Sequence, residues 1–185
     1  MNYPKTRLRR LRYNRNIRNM FEDVTVNKSD LIQPIFLVEG KNIKKEIKSL
    51  TGQFQLSIDN AIDFCKILMN EGVNSIILFG VSSKKDDTGE ISCSSQSIVP
   101  KAIKEIKNKF GDQLLVIADV CNCSYTNHGH CGTIVENDVH NDLTLETLSK
   151  QSLTLAKAGA DVLAPSDMMD GRAQSIRNKL DSSGF

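Results

Sequence analysis

No stretch of the chain approaches the roughly 18 consecutive apolar residues that a membrane-crossing helix needs, so a helical span is excluded. Aromatic residues make up only 5% of the 185 positions. That leaves no aromatic platform, interleaved with basic residues, on which a single nucleic-acid strand could stack. The first residues, Met1-Asn2-Tyr3-Pro4-Lys5, run straight into arginines with no apolar segment behind a charged start, so no secretory signal is expected. No Gly-x-Gly-x-x-Gly follows the first apolar run, which weakens a dinucleotide-binding reading. No internal repeat or low-complexity tract is present. The five cysteines are an odd number, and three of them fall within eleven residues. That is not the spread of a disulfide framework. It fits reduced thiols in a cytoplasmic setting, used for metal or for chemistry.

What is there suits a globular domain. The chain is 39% hydrophobic and 25% charged, enough to bury a core. The net charge of +2 is unevenly spread. Lys5, Arg7, Arg9, Arg10, Arg12, Arg15 and Arg18 all precede the first acidic residue, Glu22. Residues 1–28 therefore read as a basic N-terminal arm. Such an arm suits nucleic acid, a membrane surface, a solvated tail or a strap packed on an acidic neighbouring subunit. The balanced charge elsewhere weighs against nucleic acid.

Beyond the arm, short apolar runs at 30–38, 74–80, 114–120 and 161–166 read as buried strands. Segments 57–70, 98–110, 144–158 and 171–180 show helical spacing. Ser57 is a candidate N-cap, and Gly72 and Gly159 stand just past helix ends. Residues 40–52 are polar and Lys-rich, a surface excursion, and 82–95 is a charged loop. Alternating strands and helices with near-continuous apolar strands predict an α/β fold with a parallel sheet. An open doubly wound sheet and a (β/α)₈ TIM barrel both satisfy that pattern. Four βα units in this length correspond to about the first half of a barrel of roughly 250 residues. Residues 29–185 are accordingly expected to be the N-terminal half of a (β/α)₈ barrel, a partial barrel.

The chemistry concentrates after the third strand, in Asp119-Val120-Cys121-Asn122-Cys123-Ser124-Tyr125-Thr126-Asn127-His128-Gly129-His130-Cys131-Gly132. The C-terminal end of a parallel strand is the functional face of α/β folds. Residues two apart in an extended segment point the same way, so Cys121 and Cys123 can reach one ion. Gly129 and Gly132 let the loop return Cys131 to it. Three thiolates without a fourth suggest zinc with one position open; structural zinc sites are closed by four ligands. An iron–sulfur cluster usually wants four thiolates. His128 or His130 could close the site, support it, or hydrogen-bond a substrate. Asp119 is either a loop anchor or a pocket carboxylate, and Ser166 either a helix cap or a group on the same face. Tyr125 is read as packing, Cys65 as a core thiol and Cys93 as an exposed spectator.

The 119–132 run resembles the zinc motif of the porphobilinogen synthase family, also called δ-aminolevulinic acid dehydratase. The resemblance extends through Arg9-Arg10-Leu11-Arg12, residues 30–36, Phe79-Gly80, Asn141-Asp142, Ala158-Gly159-Ala160-Asp161 and Ala164-Pro165-Ser166-Asp167-Met168-Met169-Asp170-Gly171-Arg172. It implies a (β/α)₈ barrel lyase that condenses two molecules of 5-aminolevulinic acid to porphobilinogen, with loss of water, in haem and tetrapyrrole biosynthesis. It further implies catalytic Zn²⁺ on Cys121, Cys123 and Cys131, Mg²⁺ in some full-length members, and substrate-pocket roles for Asp119 and Ser166. The arm would wrap a neighbouring subunit of a homo-octamer, with neither nucleic acid nor membrane as partner. The family's two Schiff-base lysines lie on strands beyond the fourth, and the nearest lysines here, Lys84 and Lys85, sit in a charged loop. The substrate-carboxylate arginines and the later loops are missing too. Smaller departures are Thr51 before Gly52, where the family usually has proline, and Glu90-Ile91-Ser92, where it usually reads Ser-x-Ala. The 185 residues alone are therefore expected to have exposed sheet edges and no condensing activity. The alternative from another class is a non-enzymatic zinc-binding or nucleic-acid-associated module.

Overall fold

A computed structural model describes residues 2–185. Its contacts divide the chain into two compact units, one ending at Asp30 and one spanning Leu31–Phe185. In the first, a 3₁₀ turn at Leu8–Arg12 is followed by helix α1, Arg15–Met20. The side chain of Asn14 caps α1 by accepting from the Ile17 N–H at 2.9 Å. Neither element buries a residue, as expected where arginine recurs every two or three positions.

The second unit is a sheet with helices against it. Its strands are β1 (Gln33–Val38), β2 (Lys44–Glu46), β3 (Phe54–Leu56), β4 (Ser75–Val81), β5 (Leu115–Val120) and, after the short β6 (Ile134–Val135) and β7 (Asp138–Val139), β8 (Val162–Pro165). The six-stranded order is β2-β3-β1-β4-β5-β8, parallel throughout except for β2 on β3. From β1 onward the strands lie side by side in chain order, with no reversal of the kind that makes a doubly wound switch point. The helices are α2 (Ile58–Asn70), α3 (Ile98–Phe110), α4 (Asn141–Ala158) and α5 (Arg172–Asp181). α2 packs on α3, α3 on α4, and α4 on α5.

Strand alternation decides which side chains meet the helices. Ile35, Leu37, Ile76, Leu78, Val116, Ala118 and Val120 are in register across β1, β4 and β5 and fully buried. The opposite face carries Phe36, Ile77 and Phe79, only half-buried, with the Phe36 and Phe79 rings stacked at 5.4 Å. Ile98, Val99, Ala102, Ile103 and Ile106 of α3 fill the core while its lysines face water. Asp161 locks the start of β8: it accepts from the Val116 N–H at 2.8 Å and from Lys107 at 2.9 Å.

Three local expectations need correction. The polar 40–52 segment is not wholly irregular, since β2 lies within it and β3 follows; three-residue strands are too short to show a period. Ser57 stands at the N-cap position of α2, but its side chain makes no capping hydrogen bond; its Oγ accepts from the Ile43 N–H at 2.8 Å and pins the β2 excursion instead. α4 begins at Asn141, because the His140 ring accepts from the Leu143 N–H at 3.3 Å and starts the helix a turn before its apolar stripe.

Candidate metal centre

Parallel strands deliver their C-terminal ends to one edge of the sheet, and the cysteine loop leaves β5 there. Cys121 follows the strand directly and is buried, while Cys123 and Cys131 are half-buried. The three sulfurs all lie within 4.8 Å of one another, the one such donor group among the described residues. Tetrahedral zinc with bonds of about 2.3 Å spaces its sulfurs about 3.8 Å apart. Small side-chain rotations therefore close the trio on an ion. Soft thiolates favour zinc or another soft ion and suit magnesium poorly, since magnesium demands oxygen ligands. The donor set fits the metal.

No histidine joins the group. His128 is held by the loop itself: its Nε2 lies 3.1 Å from the Asp87 carbonyl and its Nδ1 accepts from the His130 N–H at 3.1 Å. The two rings lie 5.6 Å apart. The return of the chain to Cys131 is set by Thr126, whose hydroxyl donates to the His130 carbonyl at 2.8 Å. Beyond it, Gly132 passes so close to α4 that an added Cβ would stand 2.4 Å from Thr144 Oγ1. The β6–β7 ribbon then turns at Glu136 and Asn137, both at positive φ.

The thiols are unequal. A hydrogen bond from Cys121 lowers Cys123 to about 6, with burial opposing and Ser124 assisting. The same partnership, with burial, pushes Cys121 up. Asp119 lies on β5 on the face opposite the core, and its carboxylate accepts from the Ser166 hydroxyl at 2.6 Å. Ser166 thus reaches across from the end of β8 and is not a cap; α5 starts from Gly171. Burial raises the Asp119 carboxyl despite that hydrogen bond, and the charge of Asp167 adds to the rise. Tyr125 is buried 5% exposed, with its hydroxyl over Gly80, where a Cβ would lie 2.3 Å from Oη. Burial first, then the charges of Asp119, Cys123 and Cys121, raises its phenol. Tyr125 therefore belongs to the site's electrostatics as well as to packing.

The outlying thiols divide. Cys65 is fully buried and raised to about 12 by desolvation, as a core thiol should be. Cys93 is not exposed: it is half-buried and donates to the Thr147 carbonyl at 3.5 Å, because its loop folds under α4. Sequence reasoning missed the layer beneath the cysteines. Gln151 donates to the Cys121 carbonyl at 3.4 Å, and buried Asn122 accepts from Ser92 at 3.4 Å. Polar residues on a buried stripe of α4 were the signal.

The sequence model of the delta-aminolevulinic acid dehydratase family matches residues 5–185. The chain belongs to the delta-aminolevulinic acid dehydratase family. It is 46% identical over 185 residues to the delta-aminolevulinic acid dehydratase of Methanothermus sociabilis, covering all of this chain and 57% of that one. Against the Ruminiclostridium josui protein of the same name it is 44% identical over 179 residues, covering 97% of this chain and 87% of the relative. The crystal structure of the Toxoplasma gondii ME49 enzyme, porphobilinogen synthase in complex with its product porphobilinogen, superposes with a TM-score of 0.92 at 36% identity. That superposition covers 97% of this chain and 51% of the other. The chain thus spans about half the length of most of the delta-aminolevulinic acid dehydratases it matches. The family's members are lyases, and a mixed α/β fold with a mostly parallel sheet accords with it. No helix among the described residues is long and apolar enough to cross a membrane.

Proposed function

We propose that these residues form the metal-bearing half of a porphobilinogen synthase, which condenses two molecules of 5-aminolevulinic acid and expels water. The observation that carries this is the trio of sulfurs at the C-terminal edge of a parallel sheet whose strands run in chain order. That order supports the first four βα units of a (β/α)₈ barrel, in which the half-buried Phe36 and Phe79 face would turn inward. Residues 29–185 would make this half, and residues 1–28 a strap for a neighbouring subunit of a homo-oligomer, an octamer by family. Five free thiols suit a reducing cytoplasm.

Zn²⁺ bound by Cys121, Cys123 and Cys131 would supply Lewis-acid polarisation of a substrate oxygen. Two of the chain's own groups would assist beside it. Asp119, whose carboxyl burial raises, would serve as an acid–base group beside the metal, with Ser166 Oγ fixing the carboxylate's orientation. Tyr125, buried over Gly80, walls the site from water. Amine catalysis needs a desolvated lysine in the barrel mouth. Among the described residues no lysine lies on a parallel strand or within two residues of its C-terminal end. Residues 1–185 alone are therefore expected to make no porphobilinogen.

The test is metal binding by the purified chain. About one Zn²⁺ per chain is expected, with Cys131→Ala strongly weakened. Equal binding by a triple Cys→Ala variant would falsify the assignment.

A further inference from the structure

The segment between β4 and α3 contributes no ligand to the three-cysteine group, yet the cysteine loop is laid along it. Asp86 and Thr126 form a parallel bridge: the Asp86 N–H donates to the Tyr125 carbonyl at 3.0 Å, and the Asn127 N–H to the Asp86 carbonyl at 2.9 Å. The Asn127 side chain donates to Asp87 Oδ1 at 2.9 Å, and His128 meets the Asp87 carbonyl. At the other end, Gly89 presses on Asn122, so that a Cβ there would lie 2.9 Å from Asn122 Cβ, and Ser92 donates to Asn122 Oδ1. Both stretches that separate the ligands, Asn122 and residues 124–130, are thus shaped by one neighbouring turn.

That turn is built on a single carboxylate. Asp86 Oδ1 accepts from the backbone N–H groups of Thr88 at 2.8 Å and Glu90 at 3.1 Å, from Gly89, and from the Thr88 hydroxyl. Its Oδ2 accepts from the Ile91 N–H at 2.9 Å. Charge-assisted bonds of this kind are about twice as strong as neutral ones. Although burial works to raise the Asp86 carboxyl, the donors of Ile91, Thr88 and Gly89 prevail and it is lowered.

We propose that Asp86 is a positioning residue for the metal centre, closing residues 86–91 into a rigid template that brings Cys121, Cys123 and Cys131 to one point. The proposal rests on the metal reading of the three cysteines. Without the carboxylate, four backbone N–H groups lose their acceptor and the turn loosens. Metal binding must then order the cysteine loop as well as the ion, and affinity falls.

The experiment uses the whole chain. Zinc affinity is measured by competition with a chromophoric chelator, and Co²⁺ is substituted to record the sulfur-to-metal charge-transfer and d–d bands. Asp86→Asn leaves a donor where Ile91 needs an acceptor, and is expected to weaken zinc about 10–100-fold, the usual loss for groups that orient ligands. Its cobalt bands should shift or broaden. Glu90→Gln, which keeps its backbone donor on the same turn, should change neither reading. Should Asp86→Asn fail to fold, Asn127→Ala removes the contact to Asp87 by which the same turn holds the cysteine loop, and is expected to weaken zinc several-fold with shifted cobalt bands. Wild-type affinity and an unchanged cobalt spectrum in whichever variant folds overturn the proposal. A wild-type chain that binds neither metal overturns the metal reading beneath it.

Discussion

Cys121 and Cys123 share hydrogen bonding but not acidity. Because Cys123 is lowered to about 6 and Cys121 is pushed up, the metal-free chain at neutral pH should carry its thiolate on Cys123. Iodoacetamide at pH near 7 is expected to label Cys123 before Cys121, with Cys65 untouched until unfolding, as read by peptide mass mapping. Equal early labelling of Cys121 would contradict the asymmetry. Since metal binding must strip the Cys121 proton too, zinc affinity should tighten as pH rises between about 6 and 8. Asp119 works in the opposite sense. Its carboxyl is raised in the fold, so ionisation costs stability above the unfolded pKa and the cost disappears below it. Asp119→Asn keeps an acceptor for Ser166 and removes that cost. The metal-free variant should melt higher than wild type at pH 7, with the gap closing near pH 3; a lower melting temperature at pH 7 would reject the raised carboxyl. The three sulfurs and the Asp119–Ser166 pair were legible as residue types at one strand edge. Whether Asp119 anchored a loop or faced a pocket was not, because that depends on which strand end stands opposite, and the partner lies 47 positions away.

At the scale of elements, the long amphipathic pieces read themselves. α3 buries Ile98, Ile103 and Ile106 at the spacing its sequence shows, and β4 and β5 are continuous apolar runs between parallel neighbours. β3 escaped notice because Phe54–Leu56 owes its strand geometry to pairing with β1, a tertiary contact with no local signature. α4 was read short because its first turn is polar and is held by His140, an uncommon cap. Packing between elements sets two costs. Ile103→Ala, at a fully buried position, should destabilise by about 2–5 kcal/mol in urea unfolding. Gly80→Ala should cost about 1–3 kcal/mol, since its methyl would meet Tyr125 Oη and Val99, and it should disturb the metal loop that Tyr125 belongs to. A Gly80→Ala chain as stable as wild type would mean that Tyr125 moves freely.

At the scale of the molecule, the parallel order explains why a sequence-distant serine and three cysteines share one edge. The same order leaves β8 as an edge and the Phe36 and Phe79 face half-covered. Exposed edges and apolar faces invite association. The 185 residues in isolation should therefore self-associate and bind a hydrophobic dye, as light scattering and fluorescence would report; a monodisperse, dye-silent monomer would contradict that expectation. The central claim is a metal held by three thiolates at the mouth of this sheet. X-ray absorption at the zinc edge tests it most directly. The account predicts three sulfurs at about 2.3 Å with one lighter atom completing the shell. A shell of four sulfurs, or one of nitrogen and oxygen alone, would contradict it.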